Sequence, residues 1–156
     1  MVFNLSNGLS LAVHLKMSGQ LIYKGVRNKH TRVIIELENG AKLYFNDQRI
    51  FGWIKVVSDL SIITNKLGPD PLRISSKKFY QILQTSKRPI KLVLMDQEKI
   101  GGVGNIYAND ALFLAGIHPK TSANRLPKPQ VEVLFHKLLK VLKEGIKWRG
   151  ASQNNF

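Results

Sequence analysis

Residues 99–113 read KIGGVGNIYANDALF, with three glycines and an asparagine placed directly before a helix-forming run. Glycine inside a helix is unfavourable by about 1 kcal/mol relative to alanine, so Gly101, Gly102 and Gly104 belong to a turn that precedes the helix. The first turn of a helix carries amide hydrogens without carbonyl partners and a partial positive charge, and glycines in front of it let a phosphate approach the backbone. That chemistry is anion binding. Two nucleotide motifs are excluded by spacing: the Gly-Lys-Ser/Thr ending of a phosphate loop is missing, as are the preceding strand and third glycine of a dinucleotide fingerprint. The anion is then the phosphate of a nucleic-acid backbone. A tight turn between two packed helices, with Asn105 as a helix cap, accounts for the same residues.

Two further stretches carry candidate chemistry. In HLKMSGQL, residues 14–21, Met17 ends an apolar strand just before a Ser-Gly turn. In NDQRIFGW, residues 46–53, Arg49 and Phe51 are two apart, so an extended backbone points both side chains to one side. Methionine and phenylalanine ordinarily fill cores. Exposed beside a basic face they would instead form a wedge for a base stack, with the arginine donating to whatever base is unpaired.

The bulk composition sets the context for both readings. The chain of 156 residues has 24 Lys and Arg against 10 Asp and Glu, a net charge of +14. Residues 1–60 hold 8 basic and 4 acidic side chains, so the remaining 16 and 6 put most of the excess in the second part. A polyanion partner follows from such a balance, with a solubilising basic surface as the plain alternative. The absence of cysteine excludes disulfides and matches a reducing compartment. No apolar run is long enough to span a bilayer, and the four histidines (His14, His30, His118 and His136) are too scattered to predict a metal site without cysteines. The expectation is a soluble, cytoplasmic protein.

The elements that position these residues follow from periodicity. Asn7-Gly8 and Asn39-Gly40 each separate apolar or alternating runs and predict hairpins with two-residue type I′ turns. With QLIYK and FGWIKVV added, residues 1–58 read as antiparallel β structure, in two layers that make a sandwich or a partly open barrel. The stretch LGPDPL, residues 67–72, has proline at alternate positions and reads as a linker. Beyond it the period becomes helical. SSKKFYQILQ opens on serines suited to capping, with Phe79, Ile82 and Leu83 on one face. Further helices are predicted over 91–96 and 106–115, and a long one from near Pro127. That last helix carries Val131, Leu134, Phe135, Leu138, Val141, Leu142 and Ile146 along an apolar stripe, with Lys137, Lys140, Lys143 and Lys147 on the other face. Strands first and helices second define an α+β class.

HLKMSGQL, NDQRIFGW, LGPDPL and above all IKLVLMDQEKIGGVGNIYANDALFLAGIHP resemble the formamidopyrimidine-DNA glycosylase family of base-excision repair enzymes, over nearly the whole chain and in order. The resemblance implies a partial N-terminal β-sandwich domain over 1–66, a linker over 67–74 and a helix-two-turn-helix DNA-binding domain over 75–156. It implies that Met17, Arg49 and Phe51 are the intercalating triad that fills the gap left by a flipped-out nucleotide, with Arg49 facing the orphaned base. His30, Lys91, Asn105 and Tyr107 match phosphate contacts, and Gly102 and Gly104 form the backbone cradle. Ile50 departs from the family, which often has a second basic residue there. The implied partner is double-stranded DNA containing an oxidised purine or an abasic site, bound by a monomer associated with the nucleoid. The implied activity is removal of 8-oxoguanine and formamidopyrimidines followed by strand cleavage at the abasic site (AP lyase).

The family's reactive groups are an N-terminal proline amine, the glutamate after it and a lysine on an early strand, and none has a counterpart here. No catalytic residue is therefore assigned. Val2 is a poor substitute nucleophile, because Phe3 rather than an acid follows it. The four-cysteine zinc finger of many members is also missing, so no metal or other cofactor is expected in this chain. Residues 1–156 read as the middle of a longer enzyme, ending near RGASQNNF, where the family's lesion-covering loop starts. A chain of this kind is expected to bind damaged DNA without cutting it. A non-catalytic DNA-binding module is the alternative, and a general RNA-binding protein a third.

Overall fold

The computed structural model describes residues 1–148 and residue 150, and the chain divides into two compact units, Met1–Ile62 and Ile63–Phe156. The rest of the 149–156 stretch, assigned above to the start of a covering loop, lies outside the described residues. The class is α+β, with six strands followed by helices.

The first unit holds β1 (Val2–Asn4), β2 (Ser10–His14), β3 (Gly19–Tyr23), β4 (Thr31–Glu36), β5 (Lys42–Asp47) and β6 (Trp53–Val57). They form two antiparallel three-stranded sheets, in the orders β1-β2-β6 and β3-β5-β4. Side chains two apart on one strand share a face. Leu11 and Val13 of β2 thereby meet Phe45 of β5, joined by Leu21, Ile35 and Ile54, in a core fed by both sheets. This is the sandwich portion that the alternation predicts.

Both hairpin turns differ from the type I′ expectation in the same way. Gly8 and Gly40 have φ of +79° and +76°, but neither Asn7 nor Asn39 enters the left-handed region. Each loop has three residues: Leu5 N–H donates to Leu9 O at 2.9 Å and Gly8 N–H to Leu5 O at 3.1 Å, and Leu37 and Gly40 repeat the pattern. The cause lies in the asparagine side chains. Asn7 Oδ1 accepts from Leu9 N–H at 3.1 Å and Asn39 Oδ1 from Ala41 N–H at 3.0 Å. Such a bond, two residues onward, leaves only the glycine to take positive φ.

The second unit holds α2 (Ser76–Gln84), α3 (Ile90–Leu94), α4 (Asn105–Leu114) and α5 (Lys128–Lys147), while the short α1 (Ser61–Thr64) lies at the boundary between units. Ser75 caps α2 by accepting from Lys78 N–H at 3.2 Å, as its serines predict. Phe79 and Leu83 are buried, and the Phe79 ring packs 5.1 Å from that of Phe135 on α5. Along α5 the stripe from Val131 to Leu142 is buried, but Ile146 is exposed, contrary to the periodic reading. Ile146 lines an open cleft of about 590 Å³ together with Leu67, Gly101 and Tyr107, so no packed layer of the described residues lies above it.

The stretch 67–74 does more than connect. Gly68 N–H donates to Gln97 O at 2.7 Å and Gly101 N–H to Pro69 O at 3.1 Å, and Asp70 caps a 3-10 turn over Pro71–Arg73. These bonds tie the proline-rich segment to the glycine turn ahead of α4.

Candidate nucleic-acid interface

The loop between β5 and β6, together with the turn between β2 and β3, presents the first group of residues. Met17 is 75% exposed and Phe51 53% exposed. Arg49 bridges them: its Nη1 lies 3.5 Å from Met17 Sδ and its guanidinium carbon 5.0 Å from the Phe51 ring centre. Two large apolar side chains thus stand outside the core in contact with one arginine, and the core-filling alternative fails for both. The route differs from the one expected. Residues 48–52 are not extended, because Ile50 takes φ of +57°, and the cation–π contact, not strand alternation, aligns Arg49 with Phe51.

Asp47 organises this loop. Its side chain is 1% exposed and accepts from Ser18 Oγ–H at 2.6 Å, from Gly52 N–H at 2.7 Å and from Arg49 N–H at 3.2 Å. Gly52 has to be glycine, since a Cβ there would lie 2.7 Å from Phe45 Cζ and 3.1 Å from Asp47 Oδ2. His30 belongs to the same end of the sandwich: its carbonyl accepts from Asp47 N–H at 2.9 Å, and its ring is half-buried. Arg32 Nε donates to the Asp47 carbonyl at 2.9 Å.

The Ser18 hydroxyl bond, followed by that from Gly52, holds the Asp47 carboxyl below the usual aspartate value against the opposing effect of burial. A carboxylate with a depressed folded value stabilises the fold above the ordinary value of about 3.9, and that contribution disappears as pH falls through the lower folded value. Asp47→Asn is therefore expected to melt roughly 5–10 °C below the parent at pH 7, with the gap narrowing in melts recorded below about pH 4. A gap independent of pH would show that the ionised carboxylate is not what holds the loop.

The glycine turn forms the second group, within the helical unit. Ile100 and Val103 are fully buried and peg the turn from inside, while Gly102 and Gly104 face outward. Gln97 staples it: Nε2 donates to Val103 O at 2.8 Å, and Oε1 accepts from Gly102 N–H at 2.9 Å. Arg88 pairs with Asp96 at 2.6 Å just ahead of the turn and holds that carboxyl below its usual range.

The three glycines have different physical causes. Gly101 is required by packing, as a Cβ would sit 2.8 Å from Gly68 O, and Gly102 by its φ of +81°. Gly104 has extended backbone and open space where a Cβ would project. Nothing inside the fold demands glycine there. Gly104, not Asn105, is the cap residue of α4, and no side chain of the described residues caps the helix. Its first amides thus have no acceptor from the cap side chain, which leaves them available to an incoming phosphate. Asn105 is exposed in the first turn of α4, and Tyr107 lies half-buried across Gly145 of α5, where a Cβ would overlap its hydroxyl. Lys91 stands on α3, its backbone fixed to Pro119 O at 3.2 Å and its ammonium without an ion pair among the described residues.

Comparison with known proteins matches residues 1–54 to the formamidopyrimidine-DNA glycosylase N-terminal domain and residues 67–156 to the formamidopyrimidine-DNA glycosylase H2TH domain. The chain belongs to the formamidopyrimidine-DNA glycosylase family. The formamidopyrimidine-DNA glycosylase of Chloroflexus aurantiacus is 38% identical over 163 residues, covering 100% of this chain and 59% of that protein. That of Desulfitobacterium hafniense is 36% identical over 165 residues, covering 100% and 60%. Among solved structures, the MutM (Fpg) protein of Thermus thermophilus aligns at 37% identity with a TM-score of 0.88, over 97% of this chain and 58% of that one. The Lactococcus lactis formamidopyrimidine-DNA glycosylase bound to DNA containing an abasic (AP) site aligns at 28% identity with a TM-score of 0.87, over 96% and 61%. The chain therefore spans about 60% of the length of these formamidopyrimidine-DNA glycosylases.

Sequence reasoning missed Ser18, Asp47, Gly52 and Gln97. Ser18 and Asp47 lie 29 residues apart, beyond any local pattern, and an aspartate two positions before an arginine is too common to single out. Among the described residues no group of three or more His, Asp or Glu is placed to hold a metal, and no helix is long and apolar enough to cross a membrane.

Proposed function

We propose that this chain supplies the DNA grip and the duplex-opening wedge of a base-excision repair glycosylase with AP-lyase activity on oxidised purines such as 8-oxoguanine and formamidopyrimidines. The observation that carries the proposal is the outward-facing cluster of Met17, Arg49 and Phe51. Turning a nucleotide out of a duplex costs a few kcal/mol, which a side-chain wedge filling the vacated space offsets. Arg49 donates to the orphaned base. Gly102, Gly104, Asn105 and Tyr107 hold backbone phosphates at the start of α4, with Lys91 and His30 as further phosphate contacts. The net charge of +14 supports the same partner. In this role the chain acts as a monomer in the cytoplasm, on the nucleoid, and uses no cofactor of its own.

Binding to a duplex carrying an abasic-site analogue, compared with the same duplex intact, tests this directly. The expected preference is about ten-fold or more, over a shared affinity that falls steeply with salt at about 0.9 log units per neutralised phosphate. Equal affinity for the two duplexes would remove the wedge. Borohydride trapping on the damaged duplex is expected to yield no covalent adduct with this chain, because no amine in it is assigned as a nucleophile. Val2 lies within β1, paired with Ala12, and the amine of Met1 donates to Val13 O at 2.8 Å. An adduct would overturn the non-catalytic assignment.

A further inference from the structure

Met17 and Arg49 are 32 residues apart in sequence, on two separate loops. The ladder between β3 and β5 ends at the pair Gly19 and Asp47, so backbone pairing does not set Met17 against Arg49 and Phe51. The Ser18 hydroxyl lies one residue beyond the end of that ladder. It donates to Asp47 Oδ1 at 2.6 Å and accepts from Arg49 N–H at 3.2 Å, which uses both the donor and the acceptor capacity of a serine. Asp47 is itself fixed by bonds from its N–H to His30 O and from Arg32 to its carbonyl. Its carboxylate also takes Arg49 N–H and Gly52 N–H, on either side of Ile50. A β-branched residue at positive φ is strained and persists only where the surroundings impose it. The same carboxylate thus imposes the Ile50 conformation and receives the Met17 turn.

We propose that Ser18 and Asp47 form a latch, two positioning residues that register Met17 against Arg49 and Phe51 before DNA is met. Methionine has three rotatable bonds and no shape of its own. Held in register, it enters a base step without a further ordering cost, which is the effect of preorganisation on affinity. The latch rests on the proposed wedge for its purpose but exists in the free protein.

The test has a DNA-free arm and a DNA-bound arm. Carbon-13 methyl relaxation in the free chain distinguishes the three methionines. In Ser18→Ala the order parameter of the Met17 methyl is expected to fall to that of the exposed Met1, while Met95 is unchanged. Ser18→Thr, which keeps the hydroxyl, is expected to retain it. Ser18→Cys, whose thiol is only a weak donor, provides the same comparison should Ser18→Ala fail to fold. An unchanged Met17 methyl in a folded variant overturns the latch, whatever the DNA arm shows. In the DNA arm, Met17→Ala is expected to lower the abasic preference by a factor about three-fold or more larger in the parent than in the Ser18→Ala background. In a parent that shows the abasic preference, equal factors in the two backgrounds would mean no coupling and would also overturn it. A parent with no abasic preference, but whose Met17 methyl loosens on Ser18→Ala, would refute the wedge function and leave the latch standing.

Discussion

Replacing Met17, Arg49 and Phe51 together by alanine is expected to erase the preference for an abasic duplex, a loss of about 10- to 100-fold, while intact duplex is bound nearly as before. The three side chains project from the sandwich and touch one another through Arg49. Removing them exposes no core and leaves no buried partner, so the fold tolerates the change. Their proposed contacts are to bases, which carry no counterion term. The slope of log affinity against log salt should therefore shift by less than the roughly 0.9 expected for one lost phosphate contact. Fluorescence anisotropy with the two duplexes over a salt series measures both quantities. A slope falling by two or three contacts, with preference intact, would reassign Arg49 to the backbone and refute the wedge.

Gly68→Ala is expected to destabilise the helical unit by about 3 kcal/mol, a large effect for one methyl group. The added Cβ would overlap the Lys99 carbonyl carbon and lie 2.6 Å from Lys99 O and 2.7 Å from Ile100 N. These are backbone atoms and cannot swing aside. Gly68 is held to Gln97 O, Gly101 to Pro69 O, and Ile100 is pegged in the core, so relief requires moving the whole glycine turn. Two comparisons separate this clash from the general effect of removing a glycine. Gly102→Ala meets no atom but must keep φ of +81°, at a cost of about 1–2 kcal/mol. Gly104→Ala has neither constraint and should cost less than about 1 kcal/mol. Urea unfolding followed by helical circular dichroism should rank them in that order. Gly68→Ala as mild as Gly104→Ala would show that the proline-rich segment does not grip the turn.

Both predictions depend on distinctions that one-dimensional patterns do not carry. Local chemistry alone determined the elements: Asn-Gly pairs mark both hairpins, Ser75 starts α2, and the three-and-four spacing from Val131 to Leu142 makes α5 amphipathic, because each signal acts over a few neighbouring residues. The spacing of the glycines ahead of α4 and the excess of lysine and arginine likewise point to an anionic partner without any coordinates. Tertiary structure decided the rest. Whether Met17 and Phe51 fill a core or stand outside it depends on Arg49 and Asp47 being brought against residues some thirty positions away. Which glycine is needed for packing, which for its dihedral angle and which for neither depends on whether Gly68 arrives against Lys99. Ile146 continues the apolar period yet ends at the surface, because burial requires a partner as well as a phase. Periodicity sets which way a side chain points, and only the folding of distant segments determines what it meets there.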